Sequence, residues 1–266
     1  MSDKIKITKY KIKVNKNRLY CGDKRRPVKI AILSDMHGRP YDDVIKITEL
    51  CRPDLIAAPG DIIEHKHKGY DLGVNFLAEA AKIAPVFFSC GNHEKTLTKS
   101  EIKKLIDSGV HLVDNTYEEI RIGDARIYVG GLPSAQYVER NSKTSDLFYK
   151  IKGIGNIPSE LLCIDNKSLK AFASADGFKI LLCHNPEYYD KFIRKLDIDI
   201  TCSGHAHGGQ IRIFGRGVFA PGQGLFPKYT SGVYENRLVI GCGLANHSFI
   251  PRICNPREVV ILTLYS

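Results

Sequence analysis

The chain has 266 residues, 43% hydrophobic and 26% charged. That suffices for one large domain or two small ones and excludes a disordered polymer. No apolar run approaches the roughly 18–20 residues that cross a bilayer, and the charged N-terminus has no apolar core behind it. Neither a transmembrane segment nor a signal peptide is therefore expected, and the default compartment is the cytoplasm. The formal charge of +10 favours anionic partners, whether phosphate esters, nucleic acid or an anionic lipid surface, with general solubility as the bland alternative.

Lys4, Lys6, Lys9, Lys11 and Lys13 alternate roughly with Ile and Val, which predicts a half-buried edge strand with a basic outer face. A solvated face is favoured there. Peripheral contact with an anionic membrane at the inner face is the second reading, and nucleic acid ranks lower because no aromatic side chains interleave with the lysines. Val28–Leu33 reads as a buried strand, Asp42–Cys51 as a helix, Asp54–Ala58 as a strand and Asp71–Ile83 as a helix. Pro85–Cys90, Lys99–Ser108 and Gly109–Val113 continue as strand, helix and strand. This alternation predicts a parallel sheet with crossover helices, whose ligands gather at the carboxyl ends of the strands.

Beyond Asn115 the pattern changes. Glu118–Ile122 and Ala125–Gly130 read as a hairpin about Gly123-Asp124. Residues 134–176 are polar and irregular, with helix-like patches near Ser145–Ile151 and Lys167–Ala173. Strand Lys179–Cys183, helix Glu187–Leu196 and strand Ile198–Cys202 follow, and the glycine-rich tail from Gln210 is strand-rich. Two sheets sharing one core with helices outside are expected. The chain reads as one domain over 1–266, with a basic extension over 1–27 and a surface insertion over 134–176. None of the eight cysteines forms a CxxC pair, so they read as small buried hydrophobes. Cys183 and Cys202 precede motif histidines closely, and a thiolate ligand at either is the minor alternative.

Five segments carry the chemistry: Ser34-Asp35-Met36-His37-Gly38, Pro59-Gly60-Asp61, Cys90-Gly91-Asn92-His93-Glu94, Cys183-His184-Asn185-Pro186 and Gly204-His205-Ala206-His207-Gly208-Gly209-Gln210. Each follows an apolar stretch, so the polar side chains stand where strands run into loops. Asp35 and His37 are two apart and in extended chain would point the same way, and His205 and His207 repeat that spacing. Singly each segment is weak: a lone Gly-Asp is usually a turn. In this order, each behind a strand, they describe a two-metal site for cleaving phosphate esters. Two cations about 3.5–4 Å apart generate hydroxide near neutral pH and offset charge on the transferring phosphoryl group.

The order DxH, GD, GNHE, H, GHxH resembles the calcineurin-like metallophosphoesterase superfamily across most of the chain. The resemblance implies an α/β fold, a four-layer αββα sandwich with two mixed β-sheets flanked by helices. It implies one metal held by Asp35, His37, Asp61 and His207, and a second by Asp61, Asn92, His184 and His205, with Asp61 bridging. His93 would protonate the leaving group, and hydroxide between the metals would attack phosphorus in line. Mn, Fe, Zn, Co and Ni all suit these donors, and four imidazoles argue against Mg alone. A narrower similarity, to a YkuE-like branch, rests on Gly208-Gly209-Gln210-Ile211-Arg212 and on the tail around Pro227-Lys228-Tyr229, Pro251-Arg252 and Pro256-Arg257-Glu258. That branch is often membrane-associated and includes enzymes that split the pyrophosphate of UDP-2,3-diacylglucosamine.

A metal-dependent hydrolase of phosphodiester or pyrophosphate bonds is thus the leading reading. A nuclease on the same site is the first alternative: the charge favours it, but the basic residues lie away from the motifs. A non-catalytic interaction scaffold ranks last, since no ligand and no acid histidine is missing. Lys228, Arg212 and Arg252 are candidates for a second phosphate, with a surface role preferred for each. His65 and His67 read first as part of a solvated loop, with reach to the site mouth as the alternative; His247 could approach substrate as a minor reading, and His111 reads as structural.

Overall fold

The computed structural model describes residues 4–23, 25–64, 69–94, 97–134, 165–246 and 250–266. Within them the strands form two six-stranded sheets and two short hairpins. The first sheet uses β1 (Lys6–Lys13), β2 (Val28–Ile32), β3 (Leu55–Ala58), β4 (Val86–Phe88), β5 (Val110–Leu112) and β16 (Glu258–Tyr265), in the order β1-β16-β2-β3-β4-β5. β2 to β5 run parallel, β16 is antiparallel to β2, and β1 lies parallel to β16 at the edge. The second sheet is built from β6 (Tyr117–Ile122), β7 (Ala125–Leu132), β8 (Phe178–Cys183), β9 (Ile200–Ser203), β14 (Gly232–Tyr234) and β15 (Leu238–Ile240), in the order β14-β15-β9-β8-β7-β6. β7, β8, β9 and β15 are parallel, with antiparallel strands at both edges.

Alternation along each strand produces the layers. Ile30 and Ile32 of β2 point between the sheets, where they join Leu55, Phe87, Val129, Ile180, Leu182, Ile200 and Val239 in one apolar cluster. Ala31 and Leu33 point the other way, into a cluster with Phe76, Leu77, Ile102 and Leu105. Those four come from α3 (Gly69–Ala81) and α4 (Lys99–Asp107), which cover this face together with α2 (Asp42–Cys51). The outer face of the second sheet, with Leu181, Cys183 and Ile240, packs on Leu169 and Phe172 of α5 (Asn166–Ala173) and on Tyr189 and Ile193. Each such side chain, fully buried, contributes about 1.5–3 kcal/mol. The order is helix, sheet, sheet, helix, the expected αββα sandwich.

Local chemistry sets the element ends. α4 opens on a capping box in which Thr98 accepts from the Glu101 backbone N–H and Glu101 accepts from that of Thr98. α2 ends with Arg52 in the left-handed region, closing its last turn on Glu49. Three expectations change. Glu187–Leu196 is not a regular helix: Tyr189–Ile193 is a π-helical turn closed by Arg194 N–H donating to Tyr189 O (2.8 Å). A four-residue helix, α1 (Lys16–Leu19), lies in the basic extension and buries Leu19. Within 134–176, α5 is core rather than surface, and the helix-like patch at 145–151 lies outside the described residues.

Candidate metal centre

β2, β3 and β4 of one sheet and β8 and β9 of the other all end at the same edge of the sandwich, and the five polar segments follow directly. Backbone pairing continues past the strand ends and holds the loops side by side: Asp35 N–H donates to Gly60 O (3.1 Å), His37 N–H to Asp61 O (2.9 Å) and Gly204 N–H to His184 O (3.1 Å). The loops are not extended, which corrects the simple alternation expected of Asp-x-His and His-x-His. Asp35, His37, Asp61, His205 and His207 all have positive φ, between 46° and 64°. Non-glycine residues seldom adopt this region, and its concentration here marks backbone held against its own preference by the surrounding structure. Gly60 (φ 94°) and Gly91 allow the closest approach. A Cβ on Gly91 would lie 2.2 Å from Asp61 Oδ1, and one on Gly60 2.5 Å from Gly91 N.

Asp61 stands at the centre. Its Oδ1 accepts the His93 backbone N–H (2.9 Å). Its Oδ2 faces three imidazole nitrogens: His184 Nε2 at 3.1 Å, His93 Nε2 at 3.9 Å and His37 Nε2 at 4.0 Å. On the other side, His37 Nε2 and His207 Nε2 are 3.3 Å apart, and His207 Nε2 is 3.5 Å from Asp35 Oδ1. The donor atoms form three overlapping groups: Asp35, His37 and His207; His37, Asp61 and His93; and Asp61, His184 and His205. Asn92 sits in the same loop as His93, and its Oδ1 is buried without a hydrogen-bond partner among the described residues. All eight residues singled out in the sequence therefore belong to the loops at this one edge.

The electrostatics match a cation site. Burial opposes ionisation of Asp61, but His184 and the other imidazoles outweigh it and hold the carboxyl well below the usual range; Asp35 is lowered against burial chiefly by His207 and His184. Burial holds His37 and His207 down and takes His205 to about 3, leaving neutral rings that can ligate. His184 differs. Its Nδ1–H donates to Pro59 O (2.8 Å), which turns Nε2 toward Asp61, and against the cost of burial that carboxylate raises it to about 10. A cation bound at Asp61 would compete with protonation of His184. Two carboxylates at 0–1% exposure, inward-facing imidazoles and an orphaned amide oxygen fit divalent metal well.

Several surrounding groups hold the site from outside the ligand set. Glu64 Oε2 lies 2.6 Å from His93 Nδ1. Glu94 is fully buried and accepts backbone N–H groups of Asp61 (2.9 Å), Ile62 (2.7 Å), Ile63 (2.9 Å) and Gly91 (2.7 Å), tying the second segment to the third. Asn255 Nδ2 donates to His207 O (2.7 Å) and Gln210 O (3.0 Å), pinning the last segment from the C-terminal tail. Glu94 was visible inside the third segment; nothing in the sequence marked Glu64 or Asn255. The three phosphate candidates are otherwise engaged. Arg252 donates to the carbonyls of Cys242, Ala245, Asn255 and Pro256, Arg212 to Ser231 and Gly215, and Lys228 to Asp190. His111 stacks on Phe87 and pairs with Glu118, a structural role. Burial raises Cys202 to about 12 and pushes Cys183 higher still, and among the described residues neither sulfur belongs to the donor groups of the site. His65, His67 and His247 lie outside the described residues.

A two-sheet sandwich gathering aspartate and histidine at its strand ends has the form of a metallohydrolase. The chain belongs to the calcineurin-like phosphoesterases, whose family model matches residues 28–209. It is 25% identical over 271 residues to an uncharacterized metallophosphoesterase of Aquifex aeolicus, covering 98% of this chain and 92% of that protein. It is 26% identical over 253 residues to the metallophosphoesterase Cj0846 of Campylobacter jejuni, covering 90% of this chain but only 60% of that protein. The phosphodiesterase YaeI of Escherichia coli is 24% identical over 205 residues, 72% of this chain and 64% of its own. Among solved structures, Haemophilus influenzae NAD nucleotidase shares the fold at TM-score 0.53 and 18% identity, over 70% of this chain and 39% of that one. Among the described residues, no helix is long and apolar enough to cross a membrane.

Proposed function

We propose that this phosphoesterase hydrolyses phosphodiester or pyrophosphate bonds at a dinuclear centre. One ion would be held by Asp35, His37, Asp61 and His207, and the other by Asp61, Asn92, His184 and His205. The observation that carries this reading is the position of Asp61 Oδ2, facing histidines of both donor groups. When bound, such a pair of ions lowers the pKa of water and offsets charge on the phosphoryl group.

The chain's own residues supply the rest. Glu64 holds His93 through Nδ1 and so turns Nε2 toward the centre, where it can give a proton to the departing oxygen. The His93 side chain is 24% exposed, more open than those of His37 (1%), His184 (0%) and His207 (8%), which suits a histidine that meets substrate. The similarity to a phosphodiesterase supports a diester substrate. The test is hydrolysis by metal-stripped protein reloaded with Mn. Its panel is bis-p-nitrophenyl phosphate, p-nitrophenyl phosphate, a nucleotide-sugar pyrophosphate and single-stranded DNA, with His93→Ala as control. Cleavage of a diester or pyrophosphate that depends on both Mn and His93 is expected. Cleavage of the monoester alone would overturn the substrate reading, and full turnover without metal would overturn the mechanism.

A further inference from the structure

Two hairpins follow the last histidine segment and carry bulky apolar side chains on their outsides. β10 (Arg212–Ile213) and β11 (Arg216–Gly217) turn at Phe214, whose side chain is fully exposed, with the half-exposed Ile213 beside it. β12 (Phe219–Ala220) and β13 (Gly224–Leu225) lead to Leu225 at 70% exposure and Phe226 at 81%. The hairpins form one unit: Phe226 N–H donates to Val218 O (2.8 Å), and Val218 N–H to Ile211 O (2.9 Å) and Gly209 O (3.2 Å). Gly209 is two residues past His207, so the unit is fixed to the ligand loop. Phe214 and Phe226 both have positive φ, near 50°, where glycine is the usual occupant. The fold thus keeps large rings at turns where they pack on nothing.

Cationic side chains stand beside the first hairpin. Arg216 is exposed on the first hairpin, and Lys6 of the basic edge strand lines a cavity of about 260 Å³ together with Arg212 and Gly215. Lys4 is exposed just before that strand. Glu258 also lines the cavity, but its carboxylate bonds inward to Thr8 and to the Cys242 backbone N–H. Protruding apolar tips, the first with lysine and arginine beside it, suit a bilayer interface, which receives single side chains. A peptide partner needs a groove or a sheet edge to lie along.

We propose that the tips of these hairpins, Ile213–Arg216 and Leu225–Phe226, seat the protein on anionic lipid, with the rings at the headgroup boundary and Lys4, Lys6 and Arg216 on the headgroups. The full chain should co-sediment with phosphatidylcholine vesicles containing phosphatidylglycerol and much less with phosphatidylcholine alone. The double variant Phe214→Ser, Phe226→Ser should bind about tenfold more weakly, with unchanged thermal unfolding, because both side chains are solvent-exposed. The chain has no tryptophan, so Phe214→Trp introduces a single indole. Its emission should shift to the blue on the anionic vesicles and be quenched by brominated acyl chains. Equal sedimentation of the double variant and the parent protein would overturn the proposal, as would an indole unmoved by vesicles. Self-association abolished by the double variant, without lipid binding, would overturn it in favour of a contact between copies.

Discussion

His93 is held between two carboxylates: Nδ1 lies 2.6 Å from Glu64 Oε2, and Nε2 lies 3.9 Å from Asp61 Oδ2. The carboxylate of Glu64 accepts from one nitrogen and thereby aims the other. Glu64→Gln keeps the shape but weakens that hold, so kcat should fall about 10–100-fold with little change in KM. His93→Ala should cost about 10²–10⁴-fold on an alkyl ester and less on a p-nitrophenyl ester, whose leaving group needs no proton. Comparing the two esters checks the assignment, since a purely structural role predicts equal losses.

Asn255 bonds through its amide to the carbonyls of His207 and Gln210, fixing the backbone that presents His207. In the proposed dinuclear centre, Asn255→Ala should raise the dissociation constant of the ion assigned to Asp35, His37 and His207 by about 10–100-fold while leaving the other assigned ion in place. Calorimetric titration of stripped protein with Mn would then resolve one weak and one unchanged site.

Glu94 receives four backbone N–H groups with no exposure to solvent. Glu94→Ala would leave those donors buried and unpaired, and a loss of about 3–5 kcal/mol in urea unfolding is expected. Glu94→Gln should lie between the two, because its amide nitrogen opposes donors rather than accepting from them.

Metal removal should lower stability measurably. With free Mn about a hundredfold above its dissociation constant, binding to the native state adds about 2.7 kcal/mol per site. Thermal unfolding of stripped protein should therefore shift upward on adding Mn. Asn92→Ala should reduce that shift without lowering the melting temperature of the stripped form, since Asn92 Oδ1 has no other partner among the described residues.

Asp114 supplies a pH test at a group beside the site that is not itself an assigned ligand. Its buried carboxyl accepts from Ser89 Oγ (2.6 Å) and Cys90 N–H (3.0 Å), yet burial raises it to about 6. The folded form therefore holds the proton more tightly than the unfolded chain, whose aspartate titrates near about 4. The stabilisation is complete below about pH 4 and is lost as pH rises through about 6, by at most about 3 kcal/mol. Asp114→Asn keeps an acceptor oxygen without that titration. Its stability relative to the parent protein should rise between pH 4 and 7, as paired urea melts in the absence of metal would show.

Much of this molecule is determined by its sequence alone. Apolar periodicity located α2 at Asp42–Cys51 and set α3, α4, α5 and the strands β1 to β9 within a few residues, because each must bury one face, while the tail read only as strand-rich. The ordered Asp, His and Asn segments behind those strands identified the family and named the residues that converge. Periodicity failed where no period exists: the π-helical turn at Tyr189–Ile193 carries apolar residues at helical spacing, but its backbone bond spans five residues rather than four.

The tertiary structure decided how the site is held. The left-handed backbone at Asp35, His37, Asp61, His205 and His207 replaces the extended geometry that the x-spacing suggested. The hold of Glu64 on His93, of Glu94 on the Asp61 loop and of Asn255 on the His207 loop joins residues 29 to 48 apart in sequence. Such contacts leave no local signature, because a carboxylate or amide is chosen there for the donors and acceptors that folding brings to it. Phe214 and Phe226 give the converse case: their stretch reads only as part of a strand-rich tail, and the fold leaves both facing solvent.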